Sequence, residues 1–539
     1  MRTKNITKLK NNFWFKAAFV LALGLALTVI FSAIVPYNMD EFIHFSNLSC
    51  LFYKYNGLNS FREACGGYDL FDPIFHIRLP IRTFAYSGSF GSLYYLPFFL
   101  LWRNPISARF AGMFFLILEA FLLSKAFNFK FRWSWIFLLL FFPYFYQHLA
   151  DTGPVGFQIF TVIAIYFLER KWLENAKLRY PLTIVLLLFL AIWIKPVFVW
   201  LVPGILFYTL TEFYLNWRTI KPKIETYLWQ FGLAIMIFAA AMYYFLSFRD
   251  MGGHYAWLEI AKGAKGRSLD FLLDINSLRT SRLYSSLVNP LEATQRAFEI
   301  IKPNFLSKSY GLVFYILTPL LLTIFYGIKK EKNFLLRSAA FFLGFIASEF
   351  FAFCSVDSWA MHHFVLGLSF LALGYGLFLS YFLKKQFSRK LKTFFYLLIG
   401  LFIILNTYYF VIFPTQSVQS WDDRSKIKVN KVLSDPVLAQ NYFYIVVDWG
   451  MYYYQALYGN ANQSVLYLEP FNQKEQLTEI YDLASQYNRK IAIIYRENTA
   501  SFDNPVIQSI TGLKECKLID DDSVWKIKLQ GSAGDNICL

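Results

Sequence analysis

The sequence predicts a polytopic α-helical membrane protein, with about eleven transmembrane helices, that ends in a soluble α/β domain. Three observations predict it. Of the 539 residues, 57% are hydrophobic and 16% charged, whereas soluble domains carry roughly 45–50% apolar and 25% charged residues. The apolar residues come in runs of about 20, the length that crosses a bilayer as a helix. Lys and Arg concentrate in the turns on one side of those runs, as they do in cytoplasmic loops. Disordered, collagenous and ordinary cytosolic chains are excluded.

The N-terminal MRTKNITKLKNNFWFK carries five basic residues and no acid. The apolar run at 17–36 lacks a small-x-small cleavage site and is long for a signal peptide, so it is read as a retained first span. Spans then follow at 106–124, 133–149, 154–168, 181–199, 200–216, 227–247, 310–328, 335–353, 363–383 and 393–413. This assignment puts six basic segments, 1–16, 125–132, 169–180, 215–226, 328–337 and 384–392, on the cytoplasmic side. They hold 24 of the 52 Lys and Arg against four acidic residues, a net +20, and the rest of the chain sums to −3. The total charge of +17 is therefore a topology signal, and it implies no nucleic-acid partner. The non-cytoplasmic side receives loops 37–105 and 248–309, the turn at Asp151, the Lys195-Pro196 break and CSVDSWAMHH at 354–363. The segment FGSLYYLPFFLLW (90–102) is apolar but too short to span, and is read as an interfacial helix in the first outer loop.

Residues 1–414 thus form a transmembrane domain and 415–539 an extracytoplasmic domain. In the latter, 442–449, 464–470 and 490–496 are rich in β-branched and aromatic residues and read as strands. KEQLTEIYDLASQYN (474–488) has Leu477, Ile480, Leu483 and Tyr487 at helical spacing. Strand, helix, strand predicts an α/β fold with a partly parallel sheet, and it contains no Gly-rich phosphate loop. The five cysteines leave two readings open. Cys50 with Cys65 and Cys516 with Cys538 are disulfides, or all five are free thiols.

Chemistry concentrates on the non-cytoplasmic side. Directly after the first span comes VPYNMDEFIHF, with Asp40, Glu41 and His44 together at the membrane boundary. Charges there are costly without a role, and a carboxylate pair suits a general base or a metal ligand. Arg109 enters the second span, Asp151 closes the third, Lys195 closes the fifth, and His362 with His363 open the tenth. Taken singly each has a plainer reading. Arg109 pairs with a lipid phosphate, Asp151 caps a helix ahead of Pro154, and Lys195 snorkels. Taken together they describe a site with a base, a set of cations and a lipid groove.

The order of these pieces resembles the GT-C superfamily of membrane glycosyltransferases, in the branches that hold protein O-mannosyltransferases and lipid A aminoarabinose transferases. The matching pieces are Asp40-Glu41 past the first span, an interfacial segment before NPISARFAGMFFLILEAFLLSKAF, then DTGPVGFQIFTVIAIYFLER with Asp151. LLLFLAIWIKPVFVWLVP with Lys195-Pro196 follows, and MHHFVLGLSFLALGYG comes last. The resemblance covers residues 15–215 and, more weakly, 350–380. It departs at His362-His363, where many relatives have Arg-Tyr.

The resemblance implies a GT-C-like fold and an inverting transfer of a sugar from a polyprenyl-phosphate donor, on the non-cytoplasmic face, to a glycan, lipid or protein acceptor. Asp40 would take the acceptor's proton, and Lys195, Arg109, His362 and His363 would hold the donor phosphate. Glu41 and Asp151 would orient the base or acceptor, or bind a divalent ion. No metal or other cofactor is predicted, because the oxygen ligands on offer have no specific spacing. In the basic loop 248–309, Tyr255 and Trp257 are aromatic platforms for a sugar or acceptor, as His44 is a polar contact; interfacial aromatics are also common without such a role. A secondary transporter or flippase of a lipid-linked or anionic substrate is the competing class. It would show repeat-related halves and charged or broken helices at mid-membrane, whereas here the notable charges sit at one face and no halves correspond.

Overall fold

A computed structural model describes residues 2–34, 45, 48, 69–71, 78–80, 82–84, 87–88, 90–130, 155–247, 332–355, 366–384, 393, 397, 424–446, 451, 454, 457–458, 465–467, 482, 484–486, 488–496, 513–517 and 525–530. The described helices include α1 (Arg2–Ile34), α2 (Phe90–Leu101), α3 (Pro105–Phe127), α4 (Val155–Asn175), α5 (Arg179–Ile194) and α6 (Val202–Leu215). Then come α7 (Ile224–Ser247), α8 (Lys332–Ser355), α9 (Leu368–Lys384), α10 (Arg424–Leu433) and α11 (Pro436–Asn441). Three helical stretches, Pro105–Phe127, Val197–Leu215 and Trp217–Tyr243, are long and apolar enough to cross a membrane. The expected spans at 133–149 and 310–328 lie outside the described residues, as does 393–413 apart from Thr393 and Leu397, both helical.

The chain divides into two compact units. The first comprises Met1–Val35 and Ile106–Trp421, the second Pro36–Pro105 and Asp422–Leu539.

The first unit is helical because apolar surroundings leave the backbone only its own partners. Hydroxyls inside it follow the same rule. Thr28, Thr161, Thr209 and Ser348 each donate to the carbonyl four residues back, at 2.7–2.8 Å. Successive side-chain contacts fix the helix directions. A methyl on Gly24 of α1 would meet Met113 and Ile117 of α3 at 3.1 Å, while Arg109 lies over the Phe31 ring at 5.3 Å, so α1 and α3 are antiparallel. Helices α3 and α4 run the same way, with Phe115 against Phe157 and Phe160, and Phe127 stacked on Tyr166.

Helices α6 and α8 pack antiparallel through glycines. A methyl on Gly204 would lie 2.9 Å from the Gly344 carbonyl oxygen and 2.4 Å from Phe370 of α9. Small residues at a membrane helix crossing let the backbones approach, and Phe370 fills the space left above both. At the other end of the same pair, Arg337 of α8 reaches Glu212 of α6. Helix α9 then runs back along α8, with the Phe334 and Tyr381 rings 4.8 Å apart.

Chain breaks follow proline and left-handed residues. Pro196 disfavours the helical conformation for its predecessor, and Lys195 is extended, with φ −152° and ψ 117°. A 3-10 segment, Pro196–Leu201, leads into α6. Helix α3 ends at Asn128 and α4 at Ala176, both with positive φ, 56° and 50°.

The second unit holds a five-stranded mixed sheet. Its strands follow two short hairpins, β1 (Asp69–Phe71) with β2 (Arg78–Pro80) and β3 (Arg82–Phe84) with β4 (Ser87–Gly88). The sheet comprises β5 (Tyr442–Val446), β6 (Val465–Tyr467), β7 (Lys490–Arg496), β8 (Leu513–Lys517) and β9 (Trp525–Gln530) in the order β6-β5-β7-β9-β8. The pairs β5–β6 and β5–β7 are parallel, and β9 is antiparallel to both neighbours. Strand β5 is buried along its whole length, which is why it reads as an unbroken apolar run without alternation. Within the segment 474–488, Asp482 and Ala484–Gln486 are helical, and Asn488 at φ 49° ends the turn with Arg489 N–H donating to the Ala484 carbonyl. Burial, with Asp435 adding to it, pushes the Tyr444 phenol well above its ordinary range.

Helix α2 belongs to this unit. At 12 residues it is about 18 Å long, too short to span. Tyr95 and Phe99 are buried in it while Leu100 and Leu101 are exposed, Leu101 at 84%. The Tyr95 hydroxyl is 2.9 Å from that of Tyr458, Phe45 lies 4.5 Å from the Tyr95 ring, and Asn430 of α10 donates to the Tyr458 carbonyl. An aromatic cluster therefore ties Phe45 and α2 to Tyr458 and α10.

Candidate functional site

Of the residues the sequence singles out, Arg109 and Lys195 are described. Asp40, Glu41, His44, Asp151, Tyr255, Trp257, His362 and His363 lie outside the described residues. So do Cys50, Cys65 and Cys538.

Arg109 is completely buried, the largest such side chain among the described residues. It sits one turn inside α3, where helix α1 brings Phe31 beneath the guanidinium. A ring face next to a desolvated guanidinium is worth about 2 kcal/mol or more. This burial distinguishes Arg109 from an arginine that rests on the bilayer surface.

Lys195 is 1% exposed. Its backbone is held three ways. Its N–H donates to the Ala191 carbonyl at 3.2 Å, and its carbonyl accepts from Phe198 N–H and from the Gln158 side-chain amide, each at 3.1 Å. A snorkelling lysine would send its ammonium to water; this one is enclosed in the helical unit. Gln158 is itself fully buried and lies one turn into α4, seven residues after Asp151 in the sequence.

Both cations occupy one end of the helical unit. Arg109 is at the start of α3, beside the end of α1. Lys195 is at the end of α5, beside the start of α4, and α3 and α4 run parallel from that same end. Asp151 precedes the start of α4 by four residues. Both side chains are enclosed at that end, and arginine and lysine are the side chains that form charge-assisted hydrogen bonds with anionic oxygens.

The opposite end carries a second polar group that sequence reasoning missed. Arg337 bonds both oxygens of Glu212, and Tyr166 donates to one of them at 3.1 Å. The Thr209 hydroxyl oxygen lies 2.5 Å from a Glu169 carboxyl oxygen, while Trp172 donates to Gln230 at 2.6 Å and Gln230 to the Ala176 carbonyl at 2.8 Å. Glu169 and Arg337 count as loop charges in the sequence, yet Glu169 is buried and Arg337 is mostly so. An acid within an apolar run was the available signal, both for Glu212 and for the fully buried Glu119 of α3. The Glu212–Arg337 pair ties two helices together at the end away from Arg109 and Lys195.

No family model matches the sequence, and no curated protein matches it. Among solved structures, the chain is similar to ArnT from Cupriavidus metallidurans bound to undecaprenyl phosphate, at 10% identity and a TM-score of 0.45, over 97% of this chain and 98% of that one. It is also similar to ArnT from the same organism in the apo state, at 11% identity and a TM-score of 0.38, over 96% and 100%.

Proposed function

We propose that the chain is an inverting glycosyltransferase that moves a sugar from a polyprenyl-phosphate-linked donor to an envelope glycan, lipid or protein acceptor. The reaction takes place on the non-cytoplasmic face of a bacterial inner membrane, the face on which the C-terminal α/β domain lies. The observation that carries the reading is the enclosure of Arg109 and Lys195 at one end of the helical unit, beside the start of the helix that follows Asp151.

The transfer balances with this chain's residues. The Asp40 carboxylate accepts the proton of the acceptor hydroxyl as that oxygen attacks the anomeric carbon. The bond from that carbon to the phosphate oxygen breaks, and polyprenyl phosphate leaves with its electron pair. Lys195, Arg109, His362 and His363 stabilise the charge that develops on it. Glu41 and Asp151 orient the base and acceptor or hold a divalent ion, and His44, Tyr255 and Trp257 contact the sugar or acceptor. One displacement inverts the anomeric centre.

The test is a panel of polyprenyl-phosphate sugars offered to the purified full-length protein, with release of polyprenyl phosphate and the product anomer read by NMR. Release with inversion supports the reading. Retention excludes a single displacement, and the absence of turnover and binding with every donor transfers the case to the transporter or flippase class.

A further inference from the structure

We propose that Gln158 is a positioning residue for donor binding: its side-chain amide fixes the Lys195 backbone at the α5 break, from which the lysine reaches the lipid phosphate. The inference rests on the reading of Lys195 as a ligand of the donor phosphate.

Pro196 removes Lys195 from the helix, and its carbonyl is then turned out of the helical ladder in an apolar interior. A carbonyl so placed requires a partner. Phe198 N–H supplies one bond from the next turn of the same chain, and Gln158 supplies the other from a different helix. Of these two bonds, the second ties the break to a neighbouring helix.

A second observation points the same way. Gln158 is 0% exposed among Phe157, Ile159 and other buried α4 residues. A leucine there would pack without the cost of burying an amide, which is about 1–3 kcal/mol when its hydrogen bonds are not made. The Gln158 carbonyl oxygen Oε1 has no hydrogen-bond partner among the described residues, so packing and full satisfaction of the amide do not account for its presence. The bond to Lys195 does. It also joins, through one side chain, the α4 segment that follows Asp151 to the Lys195-Pro196 break.

The full-length protein in detergent is titrated with two probes, a polyprenyl phosphate and the polyprenol of the same chain length, for wild type, Gln158→Leu and Lys195→Met. With Gln158→Leu, affinity for the phosphate falls about tenfold, the scale of one lost hydrogen bond, while affinity for the alcohol is unchanged. A parallel loss for both lipids means that Gln158 only packs the helices and overturns the proposal. So does phosphate binding within twofold of wild type while Lys195→Met has lost it. If Lys195→Met binds the phosphate as wild type does, the reading of Lys195 itself falls, and the two failures are distinguished. Should Gln158→Leu not yield folded protein, Gln158→Met keeps the unbranched shape and carries the same comparison.

Discussion

Arg337 engages both carboxylate oxygens of Glu212, 2.5 Å from Nε and 2.8 Å from Nη2, and so fastens the start of α8 to the end of α6. The Glu212 side chain is 2% exposed and that of Arg337 19%. Removing one partner of such a pair leaves an uncompensated charge and typically costs about 3–5 kcal/mol, whereas replacing both with apolar residues is often neutral. Arg337→Met is therefore expected to lower the melting temperature in detergent sharply. Arg337→Met with Glu212→Leu recovers most of the loss. A single variant that melts with wild type would remove the pair from the account of how these helices hold together.

Gly204 makes a separate stability prediction. Its Cα faces Gly344 and the Phe370 ring, and a methyl would overlap ring and backbone oxygen together. Gly204→Ala should cost about 1–3 kcal/mol, as overpacking does. Adding Phe370→Leu relieves only the part owed to the ring, because the Gly344 oxygen remains. Thermal unfolding of the single and double variants distinguishes the two terms.

Ala176 takes φ 50° at the end of α4, a conformation that costs a non-glycine residue roughly 1–2 kcal/mol. Its N–H donates to the Trp172 carbonyl at 2.7 Å, and its own carbonyl accepts from Gln230, so the surroundings hold it there. Ala176→Gly should raise the melting temperature. An unchanged or lower value would show that the methyl, which packs beside Trp172 and Tyr227, contributes as much as the strain removes.

The Tyr95–Tyr458 hydroxyl pair predicts a small and a large effect at one position. Tyr95→Phe removes the 2.9 Å hydrogen bond and should cost about 1 kcal/mol. Tyr95→Ala also removes a fully buried ring that packs on Phe45 and Phe99, a cost of about 3–5 kcal/mol. Limited proteolysis of the second unit, compared between the variants, reports the order. Equal susceptibility would mean that the cluster does not hold α2 to Tyr458.

Much of the architecture is legible in hydropathy. The apolar runs at 106–124, 181–199, 200–216, 227–247 and 335–353 coincide with helical segments, and the Pro196 break falls where the sequence places it. Strand β7 coincides with KIAIIYR, because a fully buried strand shows its burial as composition. What hydropathy does not reveal is pairing. Nothing in the sequence of 36–105 says that it shares a unit with 422–539, since that association rests on individual rings such as Tyr95 and Tyr458. For the site, formal charge directed attention to Arg109 and Lys195. Gln158 escaped because an uncharged amide in an apolar helix leaves no trace in a count of charges. Glu212 and Arg337 escaped for another reason. They cancel one another across 125 residues of sequence, a relation visible only once α6 and α8 lie side by side.

If Lys195 and Asp40 serve one transfer reaction in different roles, single-turnover kinetics with a polyprenyl-phosphate sugar donor separates them. Asp40→Asn should bind the donor as wild type does but transfer about 100-fold or more slowly, the range of a lost general base. Lys195→Met should lose donor affinity as well as rate. Transfer by Asp40→Asn at the wild-type rate, or donor binding by Lys195→Met at wild-type affinity, would contradict the account.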